Sequence, residues 1–382
     1  MNQKKSLQVQ IISSIEELLN ISDAWDDLFF RSNVCFPNSR AHLLALWLEY
    51  KDPGNGFQAI IIKEANDKFV AALPLTSNTF KHTFKVAHLA TSHEQRGGDF
   101  LFDPNCDKEN VVDLIIATLI NSTFSFFSFD CIALKGLGWQ EFIAGIKRAN
   151  LLMDISENYQ IGQVDLKSDW PSYEQTFSKK YLRDLYSKVK RLAKEGETTF
   201  EFFSNINPSE VTPLLLKGFE VEDKCWKGDK GTSVLKTNGL FDYLCKEATY
   251  LANHGLLVLL FLIHKDKPIA FSYCHYSKGV HIAVKIGYDS SYAKFGPGQQ
   301  LTMNYLKHLH NLPGKNSVLD FNGPLTPWTG KWSTHTYQVG RVFFSNNRFP
   351  EQQLFSTKLL LKPYLVKLKL LLKPYLSKLR KT

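Results

Sequence analysis

Between Leu256 and Leu301 three apolar runs follow one another and give way to a glycine-proline-glycine turn: LLVLLFLI (256–263), PIAFSYCHYS (268–277), HIAVKIGYD (281–289) and YAKFGPGQQL (292–301). The first run has eight residues and ends at His264 and Lys265, far short of the roughly 20 needed to span a bilayer, so it reads as a buried strand. The second and third meet at Lys278 and Gly279, a hairpin turn. After the glycines, Leu301, Tyr305, Leu306 and Leu309 recur at helical spacing. Three consecutive strands running straight into a helix commit this part of the chain to a mixed α/β layer.

The same alternation recurs elsewhere. QAIIIK (58–63), FVAALPLT (69–76), KVAHLA (85–90) and FDCIALKGL (129–137) read as strands, with helices over 15–30, 39–50 and 108–121. TTFEFF (198–203) and SVLDF (317–321) add strands on either side of the triple run. At 382 residues, 44% of them hydrophobic, the chain is long enough for about two domains. The expected fold class is α/β with mixed sheets, in two units at 1–160 and 161–350 followed by a tail at 351–382. The seam is expected within ENYQIGQVDLKSDWPS (157–172). The helix after it is the plainest in the chain: Phe177, Tyr181, Leu185, Val189 and Leu192 recur at intervals of four and three, and Gly196 stops it. Its other face bears Lys179, Lys180, Arg183, Lys188, Lys190, Arg191 and Lys194. Such a face is ordinarily just solvated; its functional reading is a guide for an anionic ligand or polysaccharide.

The net charge of +9 is concentrated at the end of the chain: eight basic residues and no acidic one follow from Lys358 onward, leaving +1 for residues 1–357. A nearly neutral body gives no support for DNA binding, which calls for a basic face on the folded domain. The tail holds a tandem repeat, LLLKPYLVKLK (359–369) and LLLKPYLSKLR (370–380), whose period of eleven is close to three helical turns. Pro363 and Pro374 interrupt that helix. Leucine-rich and basic, the segment 358–382 suits an anionic membrane surface; a solubilising tail or a partner-docking helix fits equally. Cys35, Cys106, Cys131, Cys225, Cys245 and Cys274 are scattered, with no C-x-x-C pair, and the start MNQKKSLQVQ is hydrophilic. Reduced thiols in the cytoplasm are expected, with any membrane contact peripheral and on the inner face.

A helix start presents unpaired amides and the positive end of the macrodipole, and glycines let a ligand reach the backbone, so Gly296, Gly298, Gln299 and Gln300 form a candidate phosphate-binding turn. His281 shares a strand face with Ala283 and Lys285 and is a candidate proton relay, a satisfied core histidine being the commoner use. Trp226, Trp328 and Trp332 are candidates for stacking on a sugar, against ordinary packing. No metal is expected: His308 and His310 are two apart on a helix and cannot share a face. TGKWS lacks the first glycine of a nucleotide loop, Leu325 standing in its place, and no G-x-S-x-G is present.

Taken in order, several stretches resemble the CelD-like branch of the GNAT superfamily of acyl-CoA N-acyltransferases, associated with cellulose and exopolysaccharide synthesis. FSKKYLRDLYSKVKRLAKEGETTFEFF (177–203) resembles its basic helix and strand, and EVEDKCWKGDKGTSV (220–234) its acidic-x-x-x-Trp-Lys-Gly segment. IGYDSSYAKFGPGQQL resembles its Pro-Gly turn, and DFNGPLTPWTGKW (320–332) its closing motif. FVAALPLT resembles a strand of the degenerate first unit of such proteins. The resemblance implies tandem GNAT-like domains, the first degenerate, with acetyl-CoA or another acyl-CoA as co-substrate and an amine-bearing small molecule or saccharide as acceptor. It implies coenzyme contacts at Lys285, Ile286 and Gly287 and in the turn with Lys294, a base at Glu222 or Asp320, and acceptor contacts at Trp226 and Lys227. The chain departs from the superfamily's turn at Ala293, where an Arg or Gln is usual, and at Pro297, which removes an amide. Gly323 and Thr329 stand where the branch often has Arg and Lys. Rival readings are a Fem-type aminoacyl-tRNA-dependent transferase of the same tandem fold and a non-catalytic module that docks on the membrane and organises a polysaccharide synthase.

Overall fold

The structure is a computed structural model describing residues 6–51, 56–80, 83–91, 96, 100–312 and 317–357. The expected basic tail at 358–382 lies outside the described residues; residues 351–357 before it are helical. The first half of the chain contains β1 (Leu7–Ile12), α1 (Ile15–Asn20), α2 (Ser22–Arg31), α3 (Ala41–Lys51), β2 (Gln58–Glu64), β3 (Phe69–Phe80), β4 (Phe84–Leu89), β5 (Leu101–Phe102), α4 (Lys108–Asn121), β6 (Phe126–Ala133), α5 (Leu137–Arg148) and β7 (Met153–Asp165). The second contains α6 (Trp170–Glu174), α7 (Lys179–Glu195), β8 (Thr198–Phe203), α8 (Pro208–Asp223), α9 (Trp226–Asp229), α10 (Leu240–Asn253), β9 (Leu257–His264), β10 (Lys267–Ser277), β11 (Val280–Tyr288), α11 (Pro297–His310), β12 (Val318–Pro324), α12 (Thr329–Trp332) and β13 (His335–Ser345).

Local chemistry accounts for many of these boundaries. Ser14 and Glu17 form a capping box that starts α1, and Asp107 and Ser178 cap α4 and α7 through the Asn110 and Tyr181 amides. The helix expected over 15–30 is broken at Ile21, which ends α1 and precedes α2. The strand expected over 129–137 lies earlier, at Phe126–Ala133, because the buried rings of Phe127 and Phe129 belong to it while Leu137 opens α5. Residues 157–172 run from β7 into α6.

All thirteen strands among the described residues join one sheet, in the order β1-β2-β3-β4-β6-β13-β7-β12-β11-β10-β9-β8, with β5 on β3. The order reads as a palindrome. Each half supplies four antiparallel strands and then, across a helix, a fifth strand parallel to the fourth: β6 beside β4 in the first half, β12 beside β11 in the second. At the centre the halves exchange strands. β7, which closes the first half, pairs with β12 of the second, while β13 at the end of the second pairs with β6 of the first; β7 and β13 pair with each other.

Helices α1–α3, α8 and α10 share one continuous core on one face, joining the halves. On the other face α4 and α5 cover the first half and α6, α7 and α11 the second. All eight residues of β9 are buried, as a strand covered on both faces requires. Among the described residues no helix is long and apolar enough to cross a membrane. All six cysteines are free thiols.

Candidate acyl-transfer site

The site is built where β11 and β12 part. They are hydrogen-bonded neighbours only at Val280–Ile282 against Val318–Asp320. Beyond that point β11 carries an irregularity opposite Tyr273 and Cys274, with Val284 as the extra residue, and a bulge of this kind bends a strand away from its neighbour. The Ile286 carbonyl accepts from Lys227 Nζ at 2.9 Å, so it points out of the β10–β11 ladder. In a strand a residue's N–H and C=O project to the same side, so the Ile286 peptide N–H also faces the opened edge. Lys227 is held in turn by Glu222 Oε1 at 2.6 Å, and Glu222 Oε2 accepts the Val234 amide at 3.0 Å. Gly287 lets α8 lie this close to β11: a Cβ there would sit 2.5 Å from Glu222 Cα.

At the open end of the splay stands the glycine turn. Gly296 has φ of 61°, the left-handed region that favours glycine. The amides of Gln299 and Gln300 both turn back on the Gly296 carbonyl, at 3.0 and 3.1 Å. Pro297 has none, so Gly298 holds the first-turn amide that no described backbone carbonyl takes. The turn thus offers fewer free amides than an ordinary helix start, and a cation from α7 stands beside it: Lys188 Nζ donates to Gln299 Oε1 at 2.8 Å. Arg191 donates to the Lys294 carbonyl at 3.1 Å, tying α7 to the same turn. The Lys294 side chain points elsewhere, to Glu195 at 3.5 Å. Gln300 is buried and donates to the Phe295 carbonyl at 3.0 Å, bracing the turn from within.

Lys188, Trp226, Lys227, Gly287, Gly298 and Gln299 line a cavity of about 450 Å³ at this turn. A second cavity, of about 440 Å³, adjoins it inside the splay and shares Trp226, Ile286 and Trp328 with it. Eight of the expected site residues thus meet: Trp226, Lys227, Ile286, Gly287, Gly296, Gly298, Gln299 and Trp328. Lys285, Lys294 and Gln300 do not line either cavity. Trp332 is 1% exposed and packs edge-on against Phe177 and Tyr181, a core position away from the cavities.

The three titratable candidates sit in different surroundings. Glu222 is 2% exposed and its two oxygens are occupied as described. His281 is buried at the closed end of the splay, with Nδ1 2.8 Å from the hydroxyl of Tyr305, which lines the inner cavity. Burial, reinforced by His308, pulls its pKa down to about 4. Asp320 lies on the opposite face of β12 from Leu319 and Phe321, which line the inner cavity, as alternation along a strand requires. It accepts from Gln163 Nε2 at 2.7 Å, the Asn322 amide at 2.6 Å and the Tyr337 hydroxyl at 3.0 Å. Burial pushes its carboxyl up to about 6 against these three donors.

Lys188 was visible in the sequence only as one charge on a basic face, and no local pattern says that this face meets the turn. Gln163 and Tyr337 had no sequence signal, because they reach Asp320 through the exchanged strands β7 and β13. Among the described residues no group of three His, Cys, Asp or Glu side chains is placed to hold a metal.

Residues 179–328 match the family model described as the Acetyltransferase (GNAT) domain. No curated protein matches the chain. Among solved structures, FemX is similar with a TM-score of 0.56 at 10% identity, covering 92% of this chain and 99% of that one. A conserved protein of unknown function from Bacteroides thetaiotaomicron VPI-5482 is similar at 0.53 and 9% identity, covering 89% of this chain and all of that one. A domain assigned to a lysylphosphatidylglycerol synthetase from Agrobacterium fabrum is similar at 0.52 and 14% identity, covering 91% and 97%. At such identities the likeness is one of fold. The stretch that carries the splayed strands and the glycine turn is thus similar in sequence to the GNAT acetyltransferase domain, and 92% of the chain is similar in fold to FemX.

Proposed function

We propose that this protein transfers an acyl group from a coenzyme A thioester to an amine, the amine being carried by an amino sugar or a similar saccharide in envelope or exopolysaccharide synthesis. The observation that carries the reading is the pair of adjoining cavities, one at the Gly298 amide and Lys188 and the other inside the splay between β11 and β12, which share Ile286 in their lining. In this reading the Gly298 amide and Lys188 receive the diphosphate, a charge-assisted arrangement that makes up for the amide missing at Pro297. The Ile286 N–H stabilises the oxyanion that develops on the thioester carbonyl as the amine attacks. The new C–N bond forms, the C–S bond breaks, the amine gives its proton to a base and the thiolate takes one from solvent. Asp320, whose pKa of about 6 suits a base near neutral pH, faces away from the inner cavity, so it is proposed to take that proton at one remove, by way of water. Glu222 is proposed instead to position Lys227. Trp226, 54% exposed, and Trp328 stand at the neck, where a sugar ring could stack.

The test is calorimetric titration of the full chain with coenzyme A and acetyl-CoA, followed by thiol release with glucosamine-type acceptors. Binding and release support the reading. Failure to bind either thioester or free coenzyme, with consumption of aminoacyl-tRNA instead, would establish the Fem-type alternative. Coenzyme binding without transfer to any amine would favour a module that organises a synthase. We further propose that residues 358–382 hold the protein peripherally on an anionic inner leaflet. Sedimentation with anionic but not neutral vesicles, lost on removing 358–382, is the expected result; sedimentation that survives the truncation refutes it.

A further inference from the structure

We infer that the acyl group this site takes is an unbranched hydrocarbon chain of medium length, seated between α11 and the sheet. The inference rests on the coenzyme A reading and adds the class of acyl donor to it. The inner cavity starts at the neck formed by Trp226, Ile286 and Trp328, where the thioester would lie against the Ile286 peptide. From there it runs beneath α11, whose Leu301 and Tyr305 roof it, and its floor is drawn from four adjacent strands: Phe321 of β12, Ala283 of β11, Cys274 of β10 and Leu260 of β9. Three interstrand spacings separate β12 from β9, roughly 14 Å.

An acetyl group does not need such a space. A water molecule's share of liquid volume is about 30 Å³, and three heavy atoms take up a few such shares, against a cavity of about 440 Å³. The pantetheine arm would fill the neck side, beside Ile286 and the Gly323–Pro324 end of β12, but nothing in its course along β11 calls for a pocket reaching β9. The lining also selects against polar acyl groups. Two of its polar side chains at the inner end are already engaged: the Tyr305 hydroxyl with His281 Nδ1 at 2.8 Å, and Ser272 Oγ with Cys274 Sγ at 3.2 Å. Among the described lining residues the one charged side chain is Arg96, whose backbone amide is anchored to Asn322 Oδ1 at 3.0 Å on the β12 side. An aminoacyl group would bring an ammonium into this lining with no carboxylate among its described residues to meet it, which is strongly unfavourable; a hydrocarbon chain meets a mostly apolar surface.

The experiment is a titration series on the full chain with free coenzyme A and its acetyl, butyryl, hexanoyl, octanoyl, decanoyl and dodecanoyl thioesters. Affinity should rise by up to roughly fourfold per added methylene until the cavity is full, and then level off or fall. Ala283→Leu, which narrows the floor, should move that break to shorter chains while free coenzyme A binds as before. If this variant does not fold, the wild-type series decides alone. A series in which all thioesters bind as acetyl-CoA does overturns the inference and leaves the coenzyme A reading standing. Loss of all binding, free coenzyme included, overturns both.

Discussion

Gly298 and Gly287 lie within one site and should respond to substitution in opposite ways. A Cβ on Gly298 would meet only Tyr288 Cδ1, at 3.9 Å, so Gly298→Val adds its side chain toward the ligand and not into the protein. It should keep the wild-type melting temperature and weaken coenzyme A binding tenfold or more, about 1.4 kcal/mol; unchanged affinity in the folded variant would remove the turn from the site. Gly287→Ala places a Cβ 2.5 Å from Glu222 Cα and should lower stability instead. Lys188→Met should weaken coenzyme binding by about tenfold at low salt and flatten its dependence on ionic strength, since a charge on the phosphates is lost. Asp320 ties the site to pH. Its folded pKa of about 6 lies above the ordinary 3.8, so between these values only the folded protein holds the proton. Its favourable share of stability is present at low pH and is lost as pH rises to about 6, amounting to up to about 3 kcal/mol. Urea unfolding at pH 4 to 7 should therefore show wild type losing ground to Asp320→Asn across that window, and the variant should turn over slowly while binding coenzyme A normally. A stability gap independent of pH would mean that the carboxyl is not raised, and undiminished turnover would place the base elsewhere.

The β10–β11 hairpin supplies one wall of the site at one end and a joint between the halves at the other. Lys278, with φ of 50°, and Gly279, with 77°, form its tip. Lys278 Nζ donates to the Ser32 carbonyl at 2.9 Å and to the Phe29 carbonyl, and lies 4.1 Å from the Phe29 ring centroid. An ammonium at the C-terminal end of α2 also meets the negative end of that helix. Burial nevertheless lowers its pKa to about 8. Lys278→Met keeps the stem and removes the donor, and should destabilise the protein by about 1–3 kcal/mol in urea unfolding; a variant as stable as wild type would show that the tip contributes nothing at this joint. Elements with a strong local pattern were legible in the sequence. α4 spans the expected 108–121, and β8 the expected 198–203, because caps and apolar periodicity are local properties. α8 was harder to see, with Pro213 inside it breaking the stripe. The candidate site was legible in outline through its glycines and tryptophans, which sit in one stretch of chain. What completes it was not legible: Lys188 is 111 residues from Gln299, and Gln163 is 157 from Asp320. Such pairs are set by the order of strands in the sheet, which periodicity does not encode.

Across the whole molecule the exchange of β7 and β13 and the core shared by α1–α3, α8 and α10 make each half incomplete without the other. Calorimetry should show one unfolding transition, and a fragment of residues 166–357, which lacks β7 and leaves β13 without either of its partners, should not fold alone. Two resolved transitions, or a folded fragment, would show the halves to be independent. The exchange also bears on how the chain is made. When Ala133 leaves the ribosome, β6 has β4 on one side and an open edge on the other, and the strand that covers this edge begins at His335, about 200 residues later. At about 5–20 residues per second that is a wait of roughly 10–40 s, during which a phenylalanine-rich strand stays exposed to pairing with other chains. Nascent copies of this protein should therefore depend on a ribosome-associated chaperone over that interval.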